Sequence, residues 1–233
     1  MIAGRQRHVD TAGLHELLPR MLQGVVLIKF KRFRIVTMRL FVFLCCAIMF
    51  WTAAALPRET EKRDPDAPVI GIFTNHGAME CVLFPEQSPL TVKNFLAYVD
   101  ESFYDLTLFD RCMPGYLIQG GGFTPNMMQL PTKAPIENEA ANGLLNKRGT
   151  IAMARALDPH SATCVFYINL ADNEAFDQRD ETEKGFGYTV FGKLIRGLDV
   201  ADEISNVETK RMANVSEALP LANVIIDSVR VLR

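Results

Sequence analysis

The sequence predicts a mainly β fold, a closed antiparallel barrel capped by two α-helices. Three observations carry this prediction. Short runs rich in β-branched and aromatic residues recur between turn-forming clusters throughout the chain after residue 67. Only two stretches keep the i, i+3, i+4 spacing of an amphipathic helix. Many short strands with so few helices fit a sheet closed on itself better than an alternating α/β sheet, and closure removes exposed edges.

The elements follow in order. Val69–Thr74 and Met79–Phe84 flank Asn75-His76-Gly77, a tight-turn composition that reads as a hairpin. Ser88-Pro89 reads as an N-cap followed by proline at the first helical position, where its missing N–H costs nothing. Val92, Phe95, Leu96 and Val99 then form one apolar stripe, so a helix is expected from Pro89 to Glu101. Strand-like pieces come next at Thr107–Arg111, Tyr116–Gln119, Thr150–Arg155, Val165–Asn169 and Tyr188–Lys193. Asp199 opens a second helical stripe through Val200, Ala201 and Ile204, and Val224 to Val231 supplies a final strand. Gly120–Gly122 lacks the Lys-Ser/Thr of a phosphate loop and is read as a tight backbone bend.

The front of the chain reads as a targeting segment. Lys29, Lys31, Arg32, Arg34 and Arg39 precede the apolar run Leu40–Trp51, and Ala53, Ala54 and Ala55 follow it. Basic, apolar and then small residues are the order of a secretory signal, with cleavage expected after Ala55. The run is shorter than the roughly 20 residues of a spanning helix, so membrane attachment is expected only if the signal stays uncleaved. Met38 would itself begin an ordinary signal, which makes it the expected start and residues 1–37 an extension. The expected organisation is therefore 1–55 extension and signal, 56–67 polar tether and 68–233 folded domain, in a periplasmic or secreted protein.

Composition excludes several functions. Of 25 Lys/Arg and 27 Asp/Glu, residues 1–55 hold 8 and 2, which leaves the rest of the chain with 17 and 25. A domain that acidic offers no footprint for nucleic acid. The four histidines do not cluster and no Cys/His spacing suggests zinc, so no metal or cofactor is expected. His160 beside Ser161 has no nucleophile elbow to serve. Cys81, Cys112 and Cys164 lie in apolar, strand-like contexts and read as small core residues, although one bridge plus a free thiol is also open.

Three blocks carry a resemblance. Phe109-Asp110-Arg111 followed by Pro114-Gly115-Tyr116-Leu117-Ile118-Gln119-Gly120-Gly121-Gly122-Phe123 is similar to the F-H-R…P-G-F-M-x-Q-G-G block of the cyclophilins. Arg148 to Ala156 (RGTIAMARA) and Ser161 to Asn169 (SATCVFYIN) resemble that family's second and third signatures, in register from about Pro68 to Leu232. Asn169…Asp172-Asn173, with the export signal, most resembles bacterial periplasmic members. The resemblance implies a closed eight-stranded barrel and peptidyl-prolyl cis-trans isomerase activity on proline-containing segments of exported proteins, by a chain expected to act as a monomer. It implies Arg111 as the catalytic group, with Gln119 holding the substrate backbone. Tyr116, Leu117, Tyr167 and Phe176 would receive the proline ring, Ala154, Arg155 and Ala156 would form a ledge for the residue before proline, and Tyr188 would also bind substrate. Val165 stands in the substrate site where the family has Gln, Asp110 where it has His, and Ala175 where cyclosporin-sensitive members have an aromatic.

Those residue types suit the chemistry. Rotation about an X–Pro bond is slow because of amide resonance, with a barrier of about 18–20 kcal/mol. In the twisted transition state the proline nitrogen regains a lone pair, to which a fixed guanidinium can donate. A 10⁵-fold acceleration would need roughly 7 kcal/mol of such differential binding. The departures at Asp110, Val165 and Ala175 keep a second reading open, a proline-peptide-binding chaperone module with weak or no turnover.

Overall fold

The computed structural model describes residues 66–213 and 216–233. The signal, the alternative start at Met38 and the tether up to residue 65 lie outside the described residues.

Among the described residues, ten strands and two α-helices follow one another in the order β1 (Val69–Thr74), β2 (Gly77–Leu83), α1 (Pro89–Asp100), β3 (Thr107–Met113), β4 (Leu117–Gly120), β5 (Thr150–Met153), β6 (Phe166–Asn169), β7 (Val190–Arg196), α2 (Leu198–Ser205), β8 (Thr209–Met212), β9 (Ser216–Pro220) and β10 (Ile225–Val231). Eight strands close into an antiparallel barrel in the order β1-β10-β3-β4-β6-β5-β7-β2. The remaining pair, β8 and β9, forms a separate hairpin, and β9 packs against β3. The expected eight-stranded barrel with two helices is the observed architecture. The hairpin is an addition, because Thr209–Met212 is exposed throughout and carries no apolar alternation to announce a strand.

Strand alternation divides each barrel strand between two faces. Ile118, Ile151, Phe166, Ile168 and Phe191 join the main core, and α1 adds Val92, Phe95 and Val99 to it. Phe95 stacks on Tyr104 with ring centroids 5.2 Å apart and meets Phe166 edge-on at 5.6 Å. The Tyr104 hydroxyl donates to the Cys164 carbonyl at 2.8 Å, so its polar end is satisfied inside the core. Cys81, Cys112 and Cys164 are buried and unbridged, the core role expected of them.

The glycine run makes the bend expected of it. A Cβ on Gly120 would stand 2.3 Å from the Leu108 carbonyl oxygen, and Gly121 adopts φ +91° with Tyr104 packed against it. Only a residue without a side chain lets β4 approach β3 so closely.

The start of α1 corrects one expectation. Ser88 occupies the N-cap position, but its hydroxyl donates to the Val190 carbonyl at 2.8 Å and caps nothing. The helix is capped from a distance by Glu139. Its two carboxylate oxygens accept from the backbone N–H groups of Leu90 at 3.0 Å and Thr91 at 2.8 Å, and one also accepts from the Thr91 hydroxyl at 2.7 Å. A carboxylate at the positive end of a helix answers donors that no intrahelical carbonyl can reach. Glu139→Ala is therefore expected to cost about 1–2 kcal/mol in urea unfolding, with faster hydrogen exchange at the Leu90 and Thr91 amides. Unchanged exchange there would refute the remote cap.

Candidate functional site

A single row of side chains crosses five neighbouring strands. Arg111 on β3 pairs with Gln119 on β4, Gln119 with Tyr167 on β6, Tyr167 with Ala152 on β5 and Ala152 with Val190 on β7. Directly paired residues on antiparallel strands project from the same face. The row therefore lies on the face opposite Ile118, Ile151 and Ile168, outside the main core.

Arg111 reaches this face through a bulge. Phe109 pairs with Gly120 and Arg111 with Gln119, so β3 carries one residue more than β4 between the two pairs. That residue is Asp110. Phe109 and Cys112 are three positions apart, yet both belong to the core. Simple alternation forbids this, and one inserted residue permits it. Simple alternation thus does not hold between Asp110 and Arg111, and the two do not pair.

Asp110 is buried at 3% exposure, and its Oδ1 has no hydrogen-bond partner. Burial pushes its carboxyl up to about 7, against the opposing pull of its own backbone N–H and of the Arg111 charge. Arg111 instead pairs with Glu217 of β9, its Nη2 donating to Oε1, while its Nε is buried without a partner.

The apolar end of the row is a compact cluster. Leu117, Ala152, Tyr167 and Val190 form its buried floor, and Tyr116, Leu144, Ala154, Phe176 and Tyr188 pack around them half-buried. The Phe176 ring lies 5.6 Å from Tyr116, 5.6 Å from Tyr167 and 5.0 Å from Tyr188. Burial holds the Tyr116 hydroxyl above the usual tyrosine range, with the Arg111 charge drawing it partly back. Tyr167 spends no polarity on the cleft: its hydroxyl donates to Asn146 Oδ1 at 2.8 Å, and the same oxygen accepts from Asn169 at 3.2 Å.

The ledge is braced by the Arg155 side chain. Its guanidinium donates to the carbonyls of Gly187 at 2.9 Å, Ala156 at 3.1 Å, Leu157 at 3.1 Å and Glu183 at 2.7 Å, and it stands 4.7 Å above the Tyr188 ring. Ala156 itself is exposed, with its N–H held by the Ser161 hydroxyl at 2.9 Å.

The structure thus joins Arg111, Gln119, Tyr116, Leu117, Tyr167, Phe176, Tyr188 and Ala154 in one region. Val165 is half-buried beside them: its side chain packs against the main core, and its carbonyl accepts from Ala154 N–H at 2.9 Å. Ala175 is exposed in a single 3₁₀ turn. Ala152, Val190, Leu144 and Glu217 went unnoticed in the sequence. A spacing of two from Ala154 and from Tyr188 could have found the first two. Among the described residues, no group of three or more His, Cys, Asp or Glu could hold a metal ion.

Asp110 generates a pH prediction. Its folded-state carboxyl is raised from an ordinary value near 3.9 to about 7. The folded chain therefore keeps a proton that the unfolded chain releases. This contribution to stability is fully present below about pH 4 and is lost as pH rises through about 7. Asp110→Asn is expected to gain at least about 1 kcal/mol over the parent at pH 8, with the gain shrinking toward pH 4. Urea unfolding at pH 4, 6 and 8 checks this, and a pH-independent difference would refute it.

Residues 69–231 match the family model described as cyclophilin type peptidyl-prolyl cis-trans isomerase/CLD. The chain is 48% identical over 163 residues to peptidyl-prolyl cis-trans isomerase B of Escherichia coli, covering 70% of this chain and 99% of that protein. It is 44% identical over 164 residues to peptidyl-prolyl cis-trans isomerase A of Dickeya dadantii, covering 70% and 83%. A Cryptosporidium parvum cyclophilin type peptidyl-prolyl cis-trans isomerase, crystallised in the presence of the dipeptide Ala-Pro, shares the fold with a TM-score of 0.58 at 24% identity. That likeness covers 71% of this chain and 99% of the other.

Proposed function

The chain belongs to the cyclophilin-type peptidyl-prolyl cis-trans isomerase family and is an isomerase of X–Pro peptide bonds, and on that premise we propose that Arg111 is its catalytic group, acting on proline-containing segments of exported proteins.

The observation that carries this reading is the row from Arg111 through Gln119 and Tyr167 to Ala152 and Val190. It sets a fixed cation at one end of an apolar, aromatic cluster. A proline ring seated against Tyr116, Phe176 and Tyr167 brings its nitrogen toward the guanidinium. As the amide twists, that nitrogen gains basicity, and the N–H donors of Arg111 bind the twisted state more strongly than either planar isomer. Donors held in place before the reaction cost no reorganisation while it proceeds. The Gln119 amide makes no hydrogen bond among the described residues, which leaves it able to hold a substrate carbonyl. Ala154, Arg155 and Ala156 receive the residue before proline, on a ledge kept in shape by the Arg155 guanidinium. At Val165 the chain has no amide to add to substrate binding.

The order of basic residues, apolar run and small residues between Lys29 and Ala55 supports export to a periplasmic or extracellular destination. The Ala-Pro dipeptide used with the C. parvum relative supports a proline dipeptide as the minimal ligand.

Two-dimensional NMR exchange on a short Ala-Pro peptide tests the reading. Uncatalysed exchange takes tens of seconds, so cross-peaks on a one-second mixing time require the enzyme. Arg111→Ala is expected to slow exchange at least about 100-fold, or about 2.7 kcal/mol, while peptide resonances still shift on binding. Exchange at the parental rate would overturn the assignment of Arg111.

A further inference from the structure

The Arg111 side chain is only partly fixed by its own strand. Its guanidinium carries five N–H donors, and among the described residues Glu217 is its one hydrogen-bond partner. The carboxylate holds Nη2, Nε is buried and unpaired, and Nη1 makes no bond. Glu217 comes from the β8–β9 hairpin, where it is flanked by buried Ser216 and Ala218. The Ala218 N–H donates to the Ser216 hydroxyl at 3.2 Å, closing the backbone around Glu217. Glu217, Ser216 and Arg211 of the hairpin line a cleft with Arg111 and Gln119.

Magnitudes separate two roles for this ion pair. The carboxylate is 56% exposed and the guanidinium 26%. A pair that open contributes at most about 1 kcal/mol to stability, so support of the fold is a weak reason for it. An arginine side chain, however, carries about 2 kcal/mol of rotamer freedom. A donor that must be fixed during the reaction loses that freedom from the rate, and one clamped beforehand does not.

We infer that Glu217 is a positioning residue for the isomerase: it clamps one end of the Arg111 guanidinium and leaves the other N–H groups directed to the twisting X–Pro bond. The inference rests on the proposed role of Arg111. Glu217 touches no substrate; it acts through the arginine. The β8–β9 hairpin is then part of the active site, and its attachment to β3 sets how well the arginine is held.

The test uses the full chain and the Ala-Pro exchange assay at saturating and subsaturating peptide. Glu217→Ala is expected to lower kcat about 5- to 20-fold, equivalent to about 1–2 kcal/mol of transition-state stabilisation, with KM changed less than about twofold and the thermal midpoint nearly unmoved. Glu217→Gln, which keeps an acceptor oxygen at the same place, is expected to recover part of the loss. In an Arg111→Ala background, Glu217→Ala should produce no further slowing. An unchanged or raised kcat in Glu217→Ala would overturn the inference, the second by showing that the carboxylate competes with substrate for the guanidinium. Equal slowing in the Arg111→Ala background would overturn it too, since the hairpin would then act without the arginine. Failure of the Arg111 assignment itself is seen separately, as parental exchange in Arg111→Ala with Glu217 intact.

Discussion

One extra residue in β3 decides where the cationic end of the site stands. Both Phe109 and Cys112 are committed to the core, and an uninterrupted strand cannot send residues three apart to the same face. The bulge at Asp110 resolves the conflict and turns Arg111 and Met113 onto the face shared by Gln119 and Leu117. Had β3 run without it, Arg111 would sit out of step with Gln119, and the row across five strands would lose its cation. The cost falls on Asp110, a carboxylate held in the wall with an unpartnered oxygen. Histidine, usual at that position in the family, would be neutral at the same depth near neutral pH. This chain meets the problem instead by raising the carboxyl's hold on its proton.

Much of the fold was legible because strands and helices announce themselves by period. Val69–Thr74 was read with its observed limits, and the start of α1 at Pro89 was too. The second helix, Leu198–Ser205, began one residue ahead of its expected start. What escaped lacks a local signal. Glu139 caps α1 from about fifty residues away, and no spacing rule connects it to Leu90 and Thr91. The β8 strand is exposed along its whole length and is held by pairing with β9. The aromatic residues of the site were visible through resemblance, whereas nothing beside Glu217 in the sequence marks it, since its pairing with Arg111 exists only in three dimensions.

The site also shows two uses of buried polarity. Tyr167 turns its hydroxyl inward to Asn146, and that asparagine binds Phe176 and Asp177 through its amide nitrogen at 3.1 and 3.2 Å. The floor of the cleft is thereby tied to the loop that carries Phe176, so ring and loop hold each other in register. Arg155 does the same for the opposite rim by gathering four carbonyls. The cleft keeps its shape through donors and acceptors satisfied behind it, and apolar surface is what it offers to a ligand.

The three core thiols have a consequence for the life of the chain. Burial pushes Cys112 up to about 12 and Cys164 to about 11, and raises Cys81 as well. At neutral pH roughly one in ten thousand or fewer of the Cys112 and Cys164 thiols is a thiolate, and thiolate is the form that attacks a disulfide. An odd set of cysteines is thus kept single by packing, with no bridge to satisfy it. The protection exists only after folding is complete. Under oxidising conditions the molecules open to bridging are those that have not yet buried these thiols.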